Sequence, residues 1–187
     1  MNPLTPIEVC NSALLNLGSG YSINSFDDPD SPSRACATYY PQARRKLLSY
    51  DKHDFSFATT KVSLNKIVDE DNCYQLPSDM VRVVSLDGED RRNYYIQKDK
   101  LYTETSNPVL IYIQDDPSLK WYPPDAVDAV IYYLSAKLAS VLRNDTNMAN
   151  NFNIMAEQQC QKLAYADIRN NRLDSLPEYT SEILSSR

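Results

Sequence analysis

Histidine and glycine are nearly missing from this chain: of its 187 residues, one is histidine and three are glycine. Every Ser-His-Asp or Cys-His scheme must therefore pass through His53. That residue lies in Asp51-Lys52-His53-Asp54-Phe55, just past a helix end, where a solvated or capping histidine is the expectation. Three glycines can hardly build a GxGxxG turn or a Walker A loop, and neither motif occurs. The four cysteines, Cys10, Cys36, Cys73 and Cys160, contain no CxxC pair, which argues against a zinc knuckle or a dithiol redox motif. They are expected reduced and buried. No EF-hand spacing is present either, so no metal, no cofactor and no catalysis are expected.

Long apolar runs and an excess of positive charge are lacking too. The most apolar stretch, Ala126 to Leu142, carries Asp128 and Lys137, so neither a membrane span nor a standard export signal is expected. A net charge of −6 disfavours a groove that grips nucleic acid, because such a groove neutralises phosphates with clustered Lys and Arg. The basic pieces that exist, Arg44-Arg45-Lys46 and Arg91-Arg92, have no interleaved aromatics of the kind that stack on bases. They suit solvated faces or inter-subunit salt bridges.

What the chain does have is the composition of a globular protein, 42% hydrophobic and 24% charged. A chain of this length buries roughly 70% of the surface its unfolded form exposes, enough for a core without disulfides or metal. It also has fourteen tyrosines against four phenylalanines and one tryptophan. A tyrosine ring with a wet end suits half-buried surfaces between subunits, and Tyr39, Tyr40 and Tyr133 are candidate inter-subunit residues together with Arg44 and Arg45.

Periodicity divides the chain. Thr5-Pro6-Ile7-Glu8 carries the signature of a capping box with proline at the first helical position, and Ile7, Cys10, Leu14 and Leu17 follow at helical spacing up to Gly18. A loop anchored by Tyr21, Ile23 or Phe26 leads to a second helix with Ser31 as cap, running through Tyr50 and kinked by Pro41. Between about Phe55 and Gln114 the period changes to two, with a hairpin over Tyr94 to Glu104 turning near Lys98, Asp99 and Lys100. Pro123-Pro124-Asp125 opens a third helix whose wide apolar stripe makes it the central one. The last helix is expected from Thr146 to about Arg172, with a thin stripe of Met148, Phe152, Met155, Leu163 and Ala166. The fold expected is α+β: an antiparallel bundle of about four helices (residues 1–54 and 122–172) bearing an inserted small antiparallel β-sheet domain (residues 55–121). In the polar segment 173–187, Leu173, Leu176, Tyr179, Ile183 and Leu184 recur too regularly for a spacer, which points to a docking arm.

The order of these segments resembles the head-to-tail adaptor, or tail tubular protein A, family of short-tailed phages. The resemblance is carried by Cys10-Asn11, Ala13-Leu14, Leu17-Gly18 and the Ser25 to Asp28 turn; by Cys36, Tyr39-Tyr40, Arg44 and Leu47-Leu48; and by Asp54-Phe55 and Phe57-Ala58. It continues in Tyr74-Gln75-Leu76-Pro77-Ser78-Asp79, Val81-Arg82-Val83, Val109 to Ile113, Trp121-Tyr122-Pro123, Asp125-Ala126-Val127 and Leu134 to Ala139. Two positions depart: His53 stands where an aromatic such as tryptophan belongs, and Pro41 interrupts the second helix. The resemblance implies a virion protein made in the host cytoplasm, assembled as a dodecameric homo-oligomer ring at the head-tail junction. The ring would meet the portal on one side and the tail tube or nozzle on the other, with double-stranded DNA passing through unbound. Residues 173–187 would be the portal-binding arm. Two other readings stand beside it: a tail-associated cell-wall hydrolase using carboxylates from Asp27, Asp28, Asp30 or Asp69, Glu70, Asp71, and a monomeric virion binding module.

Overall fold

In the computed structural model, which describes residues 4–18, 20–68, 70–86 and 93–173 (backbone alone over 171–173), four helices enclose a core and two small sheets extend from it. The helices are α1 (Pro6–Asn16), α2 (Ser31–Leu48), α3 (Pro124–Leu142) and α4 (Thr146–Leu173). Strands β1 (Thr59–Ser63), β2 (Cys73–Gln75), β3 (Met80–Leu86), β4 (Tyr94–Gln97), β5 (Lys100–Thr103) and β6 (Val109–Gln114) fill the interval between α2 and α3. The α+β class and the four helices are as expected.

Local chemistry explains each start and stop. Thr5 and Glu8 satisfy each other's backbone amides, at 2.6 and 3.2 Å, which closes the capping box of α1. Gly18 ends that stretch in the left-handed region, at φ 64°. The Asn11 side chain then holds both the amide and the carbonyl of Ile23 (2.8 and 3.0 Å), which seats Ile23 in the core. Tyr21 stays largely exposed and anchors nothing. The cap of α2 is Asp30 rather than Ser31: its carboxylate accepts from the Ser33 amide at 2.7 Å and the Ser33 hydroxyl at 3.0 Å. An ionised acceptor at that position binds the amide more strongly than a serine hydroxyl can. The helix is continuous through Pro41 and ends at Leu48, two residues before the expected end.

Helix α3 is buried nearly all round, from Ala126 to Ala139, and packs against α1, α2 and α4. Its seam with α4 keeps Met148, Phe152 and Leu163 of the expected stripe, with Phe152 stacked on Tyr132, and adds small residues. Ala149, Ala156, Cys160 and Leu163 face inward at spacings of seven, four and three, while Met155 points to solvent. Small residues let the two helices approach closely, so α4 needs few large apolar groups to dock. All four cysteines are free and buried, and burial pushes the Cys160 thiol up to about 11, leaving it a packing group at neutral pH.

The β-region is two sheets rather than one. Strands pair antiparallel in the orders β1-β6-β3 and β2-β5-β4. The predicted hairpin is β4–β5, turning at Lys98-Asp99 with Lys98 at φ 57°. Strands β1 and β6 pair across a gap that periodicity alone does not reveal, and β3 joins β6 with two register shifts that bend it. A second core of Leu64, Tyr74, Leu76, Leu86, Leu101, Leu110 and Tyr112 fills the space between the sheets. The far side of the first sheet belongs to the helices: Phe55, Ala58, Ile113 and Leu119 join the helical core.

One buried ion pair locks sheet to helix. Asp115, at the end of β6, accepts from Arg44 and, at 2.8 Å, from Arg45, and Tyr40 stacks beneath the Arg44 guanidinium at 5.3 Å. Burial pushes the Asp115 carboxyl up, but the two arginines outweigh it and hold the group below the ordinary aspartate range. Replacing Asp115 with alanine leaves the Arg44 charge buried and unpaired and is expected to remove about 3–5 kcal/mol of stability in urea unfolding. The Arg45→Ala change, at a largely solvated side chain, is expected to remove less than about 1 kcal/mol.

Candidate functional site

The segment that leaves α2 makes a second junction, and it contains the histidine. His53 Nε2 lies 2.7 Å from Asp167 Oδ2 on α4. Ser56 donates its hydroxyl to the other oxygen of Asp167 and its amide, at 3.0 Å, to Oδ2. Both His53 and Asp167 are mostly buried. Burial pushes the Asp167 carboxyl up, while the bonds from Ser56 and His53 more than offset it, so the group sits below its ordinary range. From β3, Arg82 reaches into the same segment. It donates to the carbonyls of Tyr50 (3.1 Å) and His53 (2.7 Å) and pairs with Asp54.

Serine, histidine and aspartate thus meet here, but in an order that does not make a nucleophile. In a triad the histidine stands between serine and carboxylate so that it can take the hydroxyl proton. Here Asp167 stands between, and Ser56 gives its hydrogen to a carboxylate. The cluster is a clamp that fixes the exit of α2 against the far half of α4. His53 also packs edge-on against Phe55, with centroids 5.3 Å apart, which lets it fill an aromatic's place. Beside it Phe57, Trp121, Tyr122 and Leu163 border a cleft of about 460 Å3. Trp121 is exposed and carries Lys120 over its ring at 4.7 Å, and the Tyr122 hydroxyl is buried without a hydrogen-bond partner among the described residues.

The loop carboxylates are spent separately. Asp28 accepts from the Ser25 amide at 3.0 Å, Asp30 caps α2, and Asp27 donates its own amide to Ser25. Glu70 pairs with Lys100 and accepts from the Tyr102 hydroxyl at 3.0 Å. Asp71 faces a cleft of about 840 Å3 along the β4–β5 hairpin, where Tyr95 and Tyr102 stack in parallel at 4.7 Å. Asp69 lies outside the described residues. Among the described residues no group of three or more His, Cys, Asp or Glu is placed to hold a metal ion, and no helix is long and apolar enough to cross a membrane.

The candidate inter-subunit residues divide by burial. Arg44, Tyr40 and Tyr133 are engaged inside the chain: Arg44 by Asp115, Tyr40 by the Pro117 carbonyl at 3.3 Å, and Tyr133 by Glu157 at 2.7 Å. They offer a neighbouring subunit little surface. Tyr39 is half-buried and Arg45 largely exposed, so both keep surface to offer. Of the arm residues, Leu173 is the last of α4, and Leu176, Tyr179, Ile183 and Leu184 lie outside the described residues, as do Arg91 and Arg92. Asp115 and Asp167 were not legible as partners, because both sit among loop or surface acids in sequence. A signal for the first did exist: Arg44 falls in the stripe Tyr40-Ala43-Leu47, and an arginine on a core-facing stripe needs a buried acid.

Comparison with protein-family models and with curated proteins finds no match. The clamp itself makes a measurable claim. A carboxylate whose folded pKa lies below its unfolded value of about 3.9 stabilises the fold above that pH and loses the effect as pH falls through the folded value. Asp167→Ala is therefore expected to cost about 2 kcal/mol at neutral pH. In chemical denaturation as a function of pH, the gap to the native chain should close below the ordinary aspartate range.

Proposed function

We propose that this chain is a non-catalytic structural subunit of a phage virion, a head-to-tail adaptor that assembles as a ring between portal and tail tube or nozzle. The observation that carries the reading is the outer face of α4. Ile154, Tyr165 and Ile168 are exposed there, eleven and fourteen positions apart, which brings all three to one side of the helix. Helix α4 docks on α3 through its opposite, small-residue seam, so this apolar row is left exposed among the described residues. Exposed apolar side chains in register on a rigid helix suit a neighbouring subunit.

The arrangement of helices around α3, with a β-region inserted between α2 and α3, also supports the reading, because it is the arrangement that the resemblance to the adaptor family implies. Ring walls need broad rigid faces, and the Asp115 and Asp167 clamps supply rigidity between the parts. We assign the segment 173–187, with Leu176, Tyr179, Ile183 and Leu184, to the portal as a docking arm.

Cryo-EM of the chain mixed with its portal is the direct test, with a ring on the portal as the expected outcome. A chain cut after Arg172 is expected to keep its circular dichroism and lose portal binding, and unchanged binding would overturn the arm. Release of soluble sugar from purified cell wall, abolished by Asp27→Asn or Asp71→Asn, would overturn the non-catalytic reading in favour of a hydrolase.

A further inference from the structure

Three helices turn a matching face toward one groove. From α2 come Gln42, Arg45, Lys46 and Ser49; from α3, Tyr133, Ala136, Lys137 and Ser140; from α4, Thr146, Ala149, Asn150 and Asn153. Each set follows the same spacing of three, four and seven, so each is one helical face. The groove encloses about 630 Å3, within the range of pockets that hold a small ligand or a few side chains. Its floor is made of Ala43, Tyr133, Ala136 and Ala149, all buried, and its rim is polar.

The charge of this rim is opposite to that of the chain. Arg45, Lys46 and Lys137 line it and no carboxylate does, although the protein carries a net charge of −6. Arg45 gives one nitrogen to Asp115 and leaves most of its side chain in solvent. Lys46 and Lys137 are exposed and have no acidic partner among the described residues. The acids at the two ends are already engaged: Asp145 caps α4 through the Met148 amide at 2.9 Å, and Glu157 accepts from Tyr133. Lys46 and Lys137 thus stand over an apolar floor with no ion-pair partner among the described residues, and Arg45 shares its charge with Asp115.

We infer that this groove binds a short acidic segment of a partner protein, which lays an apolar side chain on the alanine floor and sets carboxylates against Lys46, Lys137 and Arg45. The floor decides between polyanions. A nucleic-acid backbone has nothing apolar to bury there, and the negative field of the rest of the chain opposes a long polyanion. An acidic peptide uses both features of the groove, and needs only a local contact.

The test is fluorescence anisotropy with a fluorescein-labelled short peptide of Glu, Asp and Leu, beside the same peptide with Lys in place of its acids and a short DNA duplex. Saturable binding of the acidic peptide alone is expected, weakening as salt is raised. The K46E/K137E double variant, altered only at exposed positions, is expected to bind about tenfold more weakly or worse. Ser140→Trp, which fills the groove without changing charge, is expected to block binding as well. No saturable binding of the acidic peptide, undiminished binding by K46E/K137E, or tighter binding of DNA through these lysines would each overturn the inference.

Discussion

The placement of the β-region on the helices depends on the Asp115 carboxylate. Asp115 directly follows β6, the strand shared by both pairings of the first sheet, and it meets Arg44 inside the core-facing stripe of α2. Buried ions are costly to bring out of water, and such a pair is stable only when geometry and further contacts compensate. Here the second arginine, the Tyr40 ring and the bond from Tyr40 to the Pro117 carbonyl provide them. An apolar contact would tolerate sliding of sheet over helix. A shared carboxylate between two arginines tolerates little, which fixes the register of sheet on helix.

Asp167 repeats the device at the other side of the molecule. The exit of α2 is held to α4 by one carboxylate with three donors, and Arg82 ties the same segment to β3. Residues 50–56 are therefore fastened to both parts of the structure, and the chain passes from helix to sheet without a free linker. That rigidity matters for a subunit whose proposed role is to hold a wall. It also explains how His53 can be the sole histidine and still be structural: its ring bonds a carboxylate on one side and packs on Phe55 on the other.

What the sequence made legible follows from local rules. The capping box at Thr5, the stop at Gly18, the hairpin at Lys98-Asp99 and the central place of α3 are each decided by residues within a few positions of one another. What escaped was decided at long range. The division into two sheets depends on β1 finding β6 across some fifty residues, and alternation in a strand does not name its partner. The stripe of α4 was legible at Met148, Phe152 and Leu163 and missed at Ala149, Ala156 and Cys160, because small residues carry a weak apolar signal although a close helix pair favours them. The carboxylates that fix the fold looked like any other loop or helix-surface acid, since only their distant partners distinguish them.

The distribution of charge follows from the same two clamps. Acids in the interior are paired with arginine or capped against amides, so their charge is used where it holds the fold. Among the described cations without an acidic partner are Lys46 and Lys137 of the α2–α3–α4 groove, where alanines that let the helices approach also leave room between them. Close helix packing through small residues and an unfilled, basic groove thus have a common cause. A larger side chain at Ala136 or Ala149 would fill the floor, and it would also push α4 off α3. The groove persists because the packing that forms it cannot remove it without giving up the α3–α4 seam, and the cost of leaving it open is small while water covers its polar rim.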